Sequence, residues 1–181
     1  GCFRDWVLAL SWASPAAADS NRGGWLRRMV DYTVRKLGRE DLAAFRFMAE
    51  VHESLPAAWI DDYVVEPGAV EQSFERLAEK HRAEEIACFV AESNGEIIAF
   101  VWAEVHEQEK EVLNIFSLWT KPQCRGQGIA TKLKLMLEDW AKAETSAKKI
   151  VTTVSARNRN MVQLNQRLGY EIEYHKMVKE L

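Results

Sequence analysis

The sequence has few cysteines, no long apolar run and no excess of positive charge. Cys2, Cys88 and Cys124 form no CxxC pair and have no histidine at metal-ligand spacing, which disfavours a disulfide framework or a zinc site. We therefore expect no metal and a reducing, cytoplasmic location. The net charge of −3 argues against a nucleic-acid-binding protein. The apolar stretch near the N-terminus is too short to cross a membrane, so no membrane partner is expected.

The 181 residues, 48% hydrophobic and 28% charged, predict one ordinary globular domain. No internal repeat, low-complexity run or interdomain linker is found. Residues 6–10 and 16–19 resemble a weak secretory signal, but Asp5 stands where a basic residue is expected. We therefore expect residues 1–28 to be an N-terminal appendage and residues 29–181 to form the domain.

Strand and helix patterns alternate irregularly along the domain. An alternating first strand at 31–37 is followed by two helical patterns, one after Gly38 and one after Gly68. Two apolar runs, 86–91 and 97–102, flank Asn94-Gly95, which is a strong signal for a β-hairpin. The polar segment 106–111 predicts a second reversal before the strand at 113–119. The pattern therefore predicts an α+β fold with an antiparallel meander.

Two glycines stand between the strand at 113–119 and the next helical pattern. Gly126 and Gly128 precede a set of apolar residues at helical spacing, namely Ile129, Leu133, Met136, Leu137 and Trp140. A helix N-terminus leaves backbone N–H groups without intrahelical partners at the positive end of the helix dipole. A glycine loop in this place is therefore expected to bind phosphate groups.

Three phosphate-binding templates can be compared with this loop. The Walker A pattern fails, because Thr131, Lys132 and Leu133 stand where Gly, Lys and Ser or Thr are needed. The dinucleotide pattern lacks its third glycine. The pattern R-x-x-G-x-G/A is matched at every position by residues 125–130. It is the pyrophosphate loop of the GNAT superfamily of acyl-CoA-dependent N-acetyltransferases, which this sequence resembles.

A second motif extends the resemblance to the C-terminal part of the chain. A β-branched run at 150–154, expected to be a buried strand, precedes a segment similar to the final helix and Leu-Gly-Phe ending of the family. The matching residues are Asn158, Met161, Leu164, Leu168, Gly169 and Tyr170. The resemblance implies a GNAT-like mixed, mainly antiparallel sheet of six or seven strands, including one at 170–178, flanked by about four helices.

The family resemblance implies an enzyme that uses acetyl-CoA as co-substrate. It would transfer the acetyl group by direct attack of a primary amine on a small molecule, a peptide N-terminus or a protein lysine, and 29–181 would be the N-acetyltransferase domain. The alternative is a non-catalytic acyl-CoA-binding or sensing module of the same fold. A homodimer is expected by analogy only.

The resemblance also assigns residues to the donor and the acceptor. The expected acetyl-CoA-binding residues are Leu118, Thr120, Arg125, Gly126, Gln127, Gly128, Ile129, Ala130 and Asn158. Asn158 stands where the final helix begins and is also expected to cap it. Asn165 is a candidate catalytic residue, because it stands where the family often has a tyrosine that acts as general acid for the departing thiolate. An amide cannot give up a proton at neutral pH but can donate a hydrogen bond. Either Asn165 only solvates the sulfur, or water or another tyrosine (Tyr63, Tyr170 or Tyr174) protonates it. Glu104 and Glu111 are the candidate general bases, with His52, His106, Glu107 and Asn114 as alternatives. The acidic segment 104–111 favours a cationic acceptor.

Overall fold

A five-stranded sheet runs through the protein, whose computed structural model describes residues 29–58 and 60–174. The strands, in chain order, are β1 (Thr33–Lys36), β2 (Ile86–Ser93), β3 (Glu96–Val105), β4 (Val112–Thr120) and β5 (Lys149–Thr152). They lie side by side in the same order. Pairing is antiparallel from β1 to β4 and parallel between β4 and β5. The predicted α+β class and meander are confirmed, whereas the predicted appendage at 1–28 lies outside the described residues.

The strand count differs from the expected six or seven. The described residues form five strands, and residues 170–174 of the predicted final strand form none. Residues 171–174 are exposed, with Ile172 and Tyr174 more than half accessible, so no apolar face holds this segment against the sheet. The rest of that prediction, 175–178, falls outside the described residues. In β5, which was expected to be buried, Lys149 is exposed and the other residues are partly buried.

Among the described residues, four α-helices flank the sheet, which agrees with the expected number. They are α1 (Leu42–Ser54), α2 (Ala69–Arg82), α3 (Ile129–Glu144) and α4 (Arg159–Arg167), with short 3-10 helices at Leu55–Ala58 and Pro122–Cys124. Pro56 lies in the first 3-10 turn, consistent with its lack of a backbone N–H. Gly68 precedes α2 with a φ of 84°, a left-handed value that glycine adopts without strain.

The two faces of the sheet carry separate apolar clusters. Helices α1 and α2 bury Phe45, Met48 and Leu77 against Phe100 and Trp102. Helix α3 covers the other face with the residues that the helical spacing selected, and Ile129, Leu133 and Leu137 are at most 1% exposed. Burying each such side chain contributes about 1.5–3 kcal/mol to the free energy of folding. These contacts fix the position of the α3 N-terminus relative to β4.

Strand β4 has an edge that β5 covers only in part. Strand β3 pairs with β4 up to Thr120, whereas β5 pairs with β4 only from Val112 to Ile115. A register shift places Ser117 opposite Trp102 and Ile115 opposite Ala103, which leaves Phe116 as the extra residue of a bulge. Within the described residues, the edge of β4 from Phe116 to Thr120 that points away from β3 has no strand partner.

Candidate active site

The loop between β4 and α3 has the backbone that its glycines predict. Gly126 and Gly128 have φ values of 76° and 78°, in the left-handed region where a β-carbon is strained. Gly128 is the N-cap residue of α3, and a β-carbon placed on it would have no described atom within 4 Å. The first turn of α3 contains no acidic residue. The space in front of this helix terminus is therefore open and free of carboxylates from that turn.

The backbone donors of the loop are suited to an anion. The first intrahelical bond of α3 runs from the Lys132 N–H to the Gly128 carbonyl at 3.0 Å. The N–H groups of Ile129 and Ala130 precede that bond and have no intrahelical acceptor. Together with the positive end of the helix dipole, these donors form a site that favours phosphate oxygens.

The side chains of two predicted acetyl-CoA-binding residues hold the loop in place. The Arg125 Nε donates to the Thr120 carbonyl at 3.0 Å, and the Gln127 Oε1 accepts from the Val30 N–H at 2.7 Å. Both contacts tie the loop to neighbouring segments. Cys124, which lies in the same loop, is buried in the α3 cluster. The part of the loop that faces the α3 N-terminus is thus mainly backbone.

The uncovered edge of β4 continues from this loop. Leu118 and Thr120, both predicted to contact the donor, lie in the segment that β5 leaves uncovered. The Ser117 Oγ in the same segment is buried and has no hydrogen-bond partner among the described residues. An extended ligand could pair with this edge as an added strand does.

Asn158 caps α4, as its place before the helix predicts. Its Oδ1 accepts from the Met161 N–H at 3.2 Å, which satisfies one of the helix's free donors. Because α4 follows β5, this helix begins beyond the point where β5 separates from β4. The predicted contact between Asn158 and acetyl-CoA stays a prediction.

Asn165 lies in a buried polar contact between α3 and α4. Its side chain is 6% exposed, and its Oδ1 accepts from the Lys134 Nζ at 2.7 Å. Lys134 is 1% exposed, and its Nζ lies 3.8 Å from the centroid of the Tyr170 ring. Burial lowers the pKa of Lys134 to about 8, and burial also raises the pKa of the Tyr170 hydroxyl. Neither contact was predicted from the sequence.

A cleft of about 390 Å³ opens beside β3 and β4, on the side of α2. Its lining residues are Arg76, Glu104, Val105, His106, Glu107, Gln108, Asn114 and Phe116. The cleft thus collects one of the two predicted general bases and three of the alternatives. Phe116, the bulge residue of β4, is 39% exposed here and stacks on Trp102 with ring centroids 5.5 Å apart.

Glu104 forms the floor of this cleft as one half of an ion pair. The Arg76 Nε donates to both carboxylate oxygens at 2.9 and 3.1 Å, and its Nη2 donates at 2.6 Å. The Trp102 Nε1 adds a fourth contact at 2.9 Å. A carboxylate offers about four lone-pair sites, so these contacts occupy its acceptor capacity. The surroundings of Glu104 therefore argue against its accepting a proton directly, and its role as a base stays a prediction.

The other predicted base, Glu111, lies outside this cleft. Its carboxylate pairs with Lys148 at 2.5 Å, and its backbone carbonyl accepts from the N–H groups of Lys148 and Lys149 beside β5. In the cleft itself, Glu107 pairs with Lys80 at 2.9 Å. Each of these carboxylates has a cationic partner. The acidic segment 104–111 therefore presents less negative charge than its sequence suggests.

His52, an alternative base, is partly buried beside Trp102. Its ring lies 4.9 Å from the Trp102 ring, and its Nδ1 is buried without a partner among the described residues. Burial lowers the pKa of His52 below its usual value of 6.5. A neutral imidazole with a free nitrogen could accept a proton, but it does not line the cleft.

Arg76, Phe116 and Lys134 contribute to the site but were not singled out from the sequence. Phe116 was assigned to the apolar pattern of β4, and the bulge that exposes it has no sequence signal. Lys134 stands beside Leu133 and three residues before Leu137, at the border of the buried face of α3. A lysine at such a border is the one signal that could have indicated a buried ammonium group.

The described residues contain no group of three or more His, Cys, Asp or Glu side chains that could hold a metal ion. Within the same part of the chain, no helix has both the length and the apolar character needed to cross a membrane.

Comparison with known proteins identifies the fold family. The model of the acetyltransferase (GNAT) family matches residues 45–170. The chain belongs to the GNAT acetyltransferase family. No curated protein sequence matches it significantly. A protein from Staphylococcus aureus subsp. aureus assigned to this family is 30% identical, with 66% of this chain and 98% of that one covered and a TM-score of 0.60.

Two structures with bound ligands share the GNAT fold. A Clostridium acetobutylicum protein predicted to be an acetyltransferase, solved with acetyl-CoA, is 20% identical with a TM-score of 0.64, and 82% of this chain and 96% of that chain are covered. An aminoglycoside acetyltransferase from an uncultured soil metagenomic sample was solved with sisomicin. It is 15% identical with a TM-score of 0.62, and 83% of this chain and 96% of that chain are covered. At these identities the likeness concerns the fold.

Proposed function

We propose that this GNAT protein transfers an acetyl group from acetyl-CoA to a primary amine. The observation that carries the proposal is that two suitable binding surfaces adjoin each other. The open, glycine-lined N-terminus of α3 directly follows a β4 edge that β5 leaves uncovered from Phe116 to Thr120. One feature suits the phosphates of a donor, and the other suits an extended arm attached to them.

The donor would be held mainly by main-chain groups. Backbone N–H groups between Gly126 and Ala130 would bind the pyrophosphate, and the left-handed glycines allow close approach without a β-carbon. The arm of the donor would pair with β4 near Leu118 and Thr120. Arg125 would supply positive charge near the phosphates while its Nε holds the Thr120 carbonyl. The acetyl-CoA bound by the Clostridium acetobutylicum protein supports this choice of donor.

The acceptor would enter from the cleft beside Phe116 and Asn114. A neutral amine attacks the thioester carbonyl carbon, a C–N bond forms, and the C–S bond breaks with its electron pair going to sulfur. The nitrogen then loses a proton. Because Arg76 and Trp102 occupy the acceptor sites of Glu104, we assign this proton to water in the open cleft. Arg76, whose side chain is 42% exposed, would contact the acceptor, and Glu104 would hold Arg76 in place.

The acceptor class that the proposal favours is a small-molecule amine. The sisomicin complex of a GNAT relative supports this class, and the volume of the cleft suits part of a small molecule. Peptide N-termini and protein lysines are the other candidates. An amine panel that includes an aminoglycoside, a polyamine and a short peptide, read out by CoA-thiol release, would rank them.

The donor site is tested with a matched pair of glycine substitutions. Gly128→Glu places a carboxylate in front of the α3 N-terminus, whereas Gly95→Glu places the same residue in the β2–β3 turn, outside the β4–α3 loop. Both glycines have left-handed φ values, 78° and 79°, and open space at the β-carbon, so the backbone strain is matched. Calorimetric titration should show acetyl-CoA binding lost in Gly128→Glu and retained in Gly95→Glu.

Two results of these assays would change the proposal. Unimpaired acetyl-CoA affinity in Gly128→Glu would show that the donor does not bind at this loop. Normal donor binding with no CoA release for any amine would favour the non-catalytic acyl-CoA-binding module over the enzyme.

A further inference from the structure

Lys134 is a buried ammonium group that the function proposed above does not use. Its Nζ donates to the Asn165 Oδ1 at 2.7 Å and lies over the Tyr170 ring. Glu138, one turn later on α3, is the one carboxylate that favours its charge, and it acts from beyond ion-pair distance. Among the described residues, no carboxylate lies within 4.0 Å of Lys134. The positive charge is therefore buried without an anion in contact.

A buried cation without an anion destabilises a fold. An ammonium group has three donors, and Lys134 uses one of them on a neutral amide oxygen. Burying a charge that has no ionic partner costs several kcal/mol. The arrangement becomes favourable when an anion arrives nearby. The question is then which anion could reach Lys134.

The Lys134–Asn165 contact connects the two helices that follow the diverging strands. Helix α3 follows β4, helix α4 follows β5, and these strands separate after Ile115 and Thr152. Lys134 lies about 9 Å along the α3 axis from Gly128, at 1.5 Å per residue. Ile129 and Leu133 pack in one cluster with Ile115 and Leu118, so these turns of α3 run beside β4. A donor that extends from Gly128 back along β4 approaches Lys134.

The contact also fixes the orientation of the Asn165 amide. An ammonium group can donate but cannot accept, so the amide oxygen must face Lys134. The Asn165 Nδ2 therefore points away from Lys134 and remains available as a donor. The ammonium group polarises the amide, so that Nδ2 becomes a stronger hydrogen-bond donor to an anion that it contacts.

We propose that Lys134 is a positioning residue for the departing CoA thiolate: it orients Asn165, whose amide the family resemblance implies as a hydrogen-bond donor to the sulfur, and it supplies the positive charge that stabilises the thiolate. This inference rests on the proposed function. When the C–S bond breaks, its electron pair stays on sulfur, which leaves as a thiolate and takes its proton from solvent. No proton from Asn165 is required, which answers the absence of a tyrosine at this position.

The ionisation of Lys134 is compatible with this role. Because burial lowers its pKa to about 8, the group is mainly protonated at neutral pH. A thiolate placed beside it favours the charged ammonium and so raises that pKa again. Glu138 acts in the same direction, and Tyr170, whose pKa burial raises, stays neutral. The positive charge is therefore present when the thiolate forms.

The test measures the thiol of enzyme-bound CoA and needs no acceptor. The ultraviolet absorbance of the thiolate is followed against pH for the CoA complex, and the desulfo-CoA complex is subtracted. An opposite charge nearby should raise the thiolate fraction of bound CoA about tenfold over free CoA at the same pH. Lys134→Met should remove this gain. Lys142→Met, at an exposed position near the end of α3, is the control and should retain it.

A second variant separates a catalytic role from a purely structural one. Asn165→Asp keeps the size of the side chain and still accepts from Lys134, so the contact between α3 and α4 is retained. The carboxylate cannot donate to sulfur and repels a thiolate, so the thiolate fraction should fall to that of free CoA or below. A structural role predicts that Asn165→Asp behaves as the wild type.

Each outcome has a distinct meaning. Equal thiolate fractions in wild type and Lys134→Met, with CoA bound in both, would overturn the inference and leave the proposed function standing. A wild-type thiolate fraction no higher than that of free CoA would also overturn it. Failure of the wild type to bind CoA at all would refute both proposals.

Discussion

The ion pair between Arg76 and Glu104 should stabilise the fold more than an equivalent pair on the surface. Arg76 donates three hydrogen bonds to Glu104, whose side chain is only 3% exposed. Replacing Arg76 with methionine removes the guanidinium that lies over Phe116 and leaves the carboxylate with Trp102 as its remaining donor. The fold then contains a buried, poorly solvated charge.

The size of the effect follows from the burial of each partner. Removing one partner of a fully buried pair costs about 3–5 kcal/mol in the free energy of unfolding. The Arg76 side chain is 42% exposed, so water can reach the carboxylate once the guanidinium is gone. We therefore expect a loss of about 2 kcal/mol for Arg76→Met. For a protein of this size, that loss lowers Tm by roughly 4–8 °C.

The chain contains a matched control for this measurement. Arg46 donates two hydrogen bonds to Glu71 and lies over the Phe74 ring at 4.2 Å, much as Arg76 lies over Phe116 at 4.6 Å. Glu71, however, is 53% exposed. Exposed pairs contribute about 0–1 kcal/mol, so Arg46→Met should cost less than 1 kcal/mol. The difference between the stability losses of the two variants therefore measures the effect of burying the carboxylate.

Urea denaturation of four proteins completes the test. The proteins are the wild type, Arg46→Met, Arg76→Met and the double variant Arg76→Met with Glu104→Gln. The double variant removes the buried charge and keeps an oxygen that can accept from the Trp102 Nε1, so its stability should recover to within about 1 kcal/mol of wild type. If Arg76→Met and Arg46→Met lose the same stability within about 0.5 kcal/mol, the reasoning from burial is refuted.

Three further predictions concern titratable groups of the site. Glu104→Gln should keep kcat/KM within about tenfold of wild type, whereas a fall of 100-fold or more in steady-state assays would identify Glu104 as a direct base. Lys134 has a folded-state pKa of about 8, below its unfolded value of 10.5, so it destabilises the fold below pH 8, by on the order of 3 kcal/mol. Urea midpoints of wild type should therefore rise relative to Lys134→Met between about pH 8 and 10, and parallel curves would contradict this. Burial lowers the pKa of His52, so the unfolded state binds a proton more readily than the folded state as the pH falls below about 6.5. The free energy of unfolding of the wild type should therefore fall with acidification more steeply than that of His52→Phe. Equal dependence on pH in the two proteins would show that His52 is solvated.

Local signals were sufficient to predict the conformation of the loop between β4 and α3. Gly126 and Gly128 adopt the left-handed backbone that their place before a helix predicts, and Asn158 caps α4. The Asn94-Gly95 turn joins β2 to β3, and the buried face of α3 follows the helical spacing. Each of these features depends on residues within a few positions of one another, which is why sequence alone could locate them.

The pairing of charged side chains could not be predicted in the same way. Arg76 and Glu104 lie 28 residues apart, and Lys134 and Asn165 lie 31 apart, on different elements in each case. Their contact depends on how helices pack on the sheet, which periodicity does not record. The strand that the resemblance implies at 170–178 is wrong over 170–174, because residues 171–174 are exposed and supply no apolar face to bury.

The most direct test of the central claim is a thermal-shift titration of the wild-type protein with acetyl-CoA, in parallel with ATP and NAD. A ligand that binds only the folded state raises Tm in a saturable way that follows its affinity. Acetyl-CoA should produce such a rise, and ATP and NAD should not, because the loop lacks the Walker and dinucleotide patterns. No shift with acetyl-CoA, or an equal shift with ATP, would contradict the assignment of the α3 N-terminus as an acyl-CoA site.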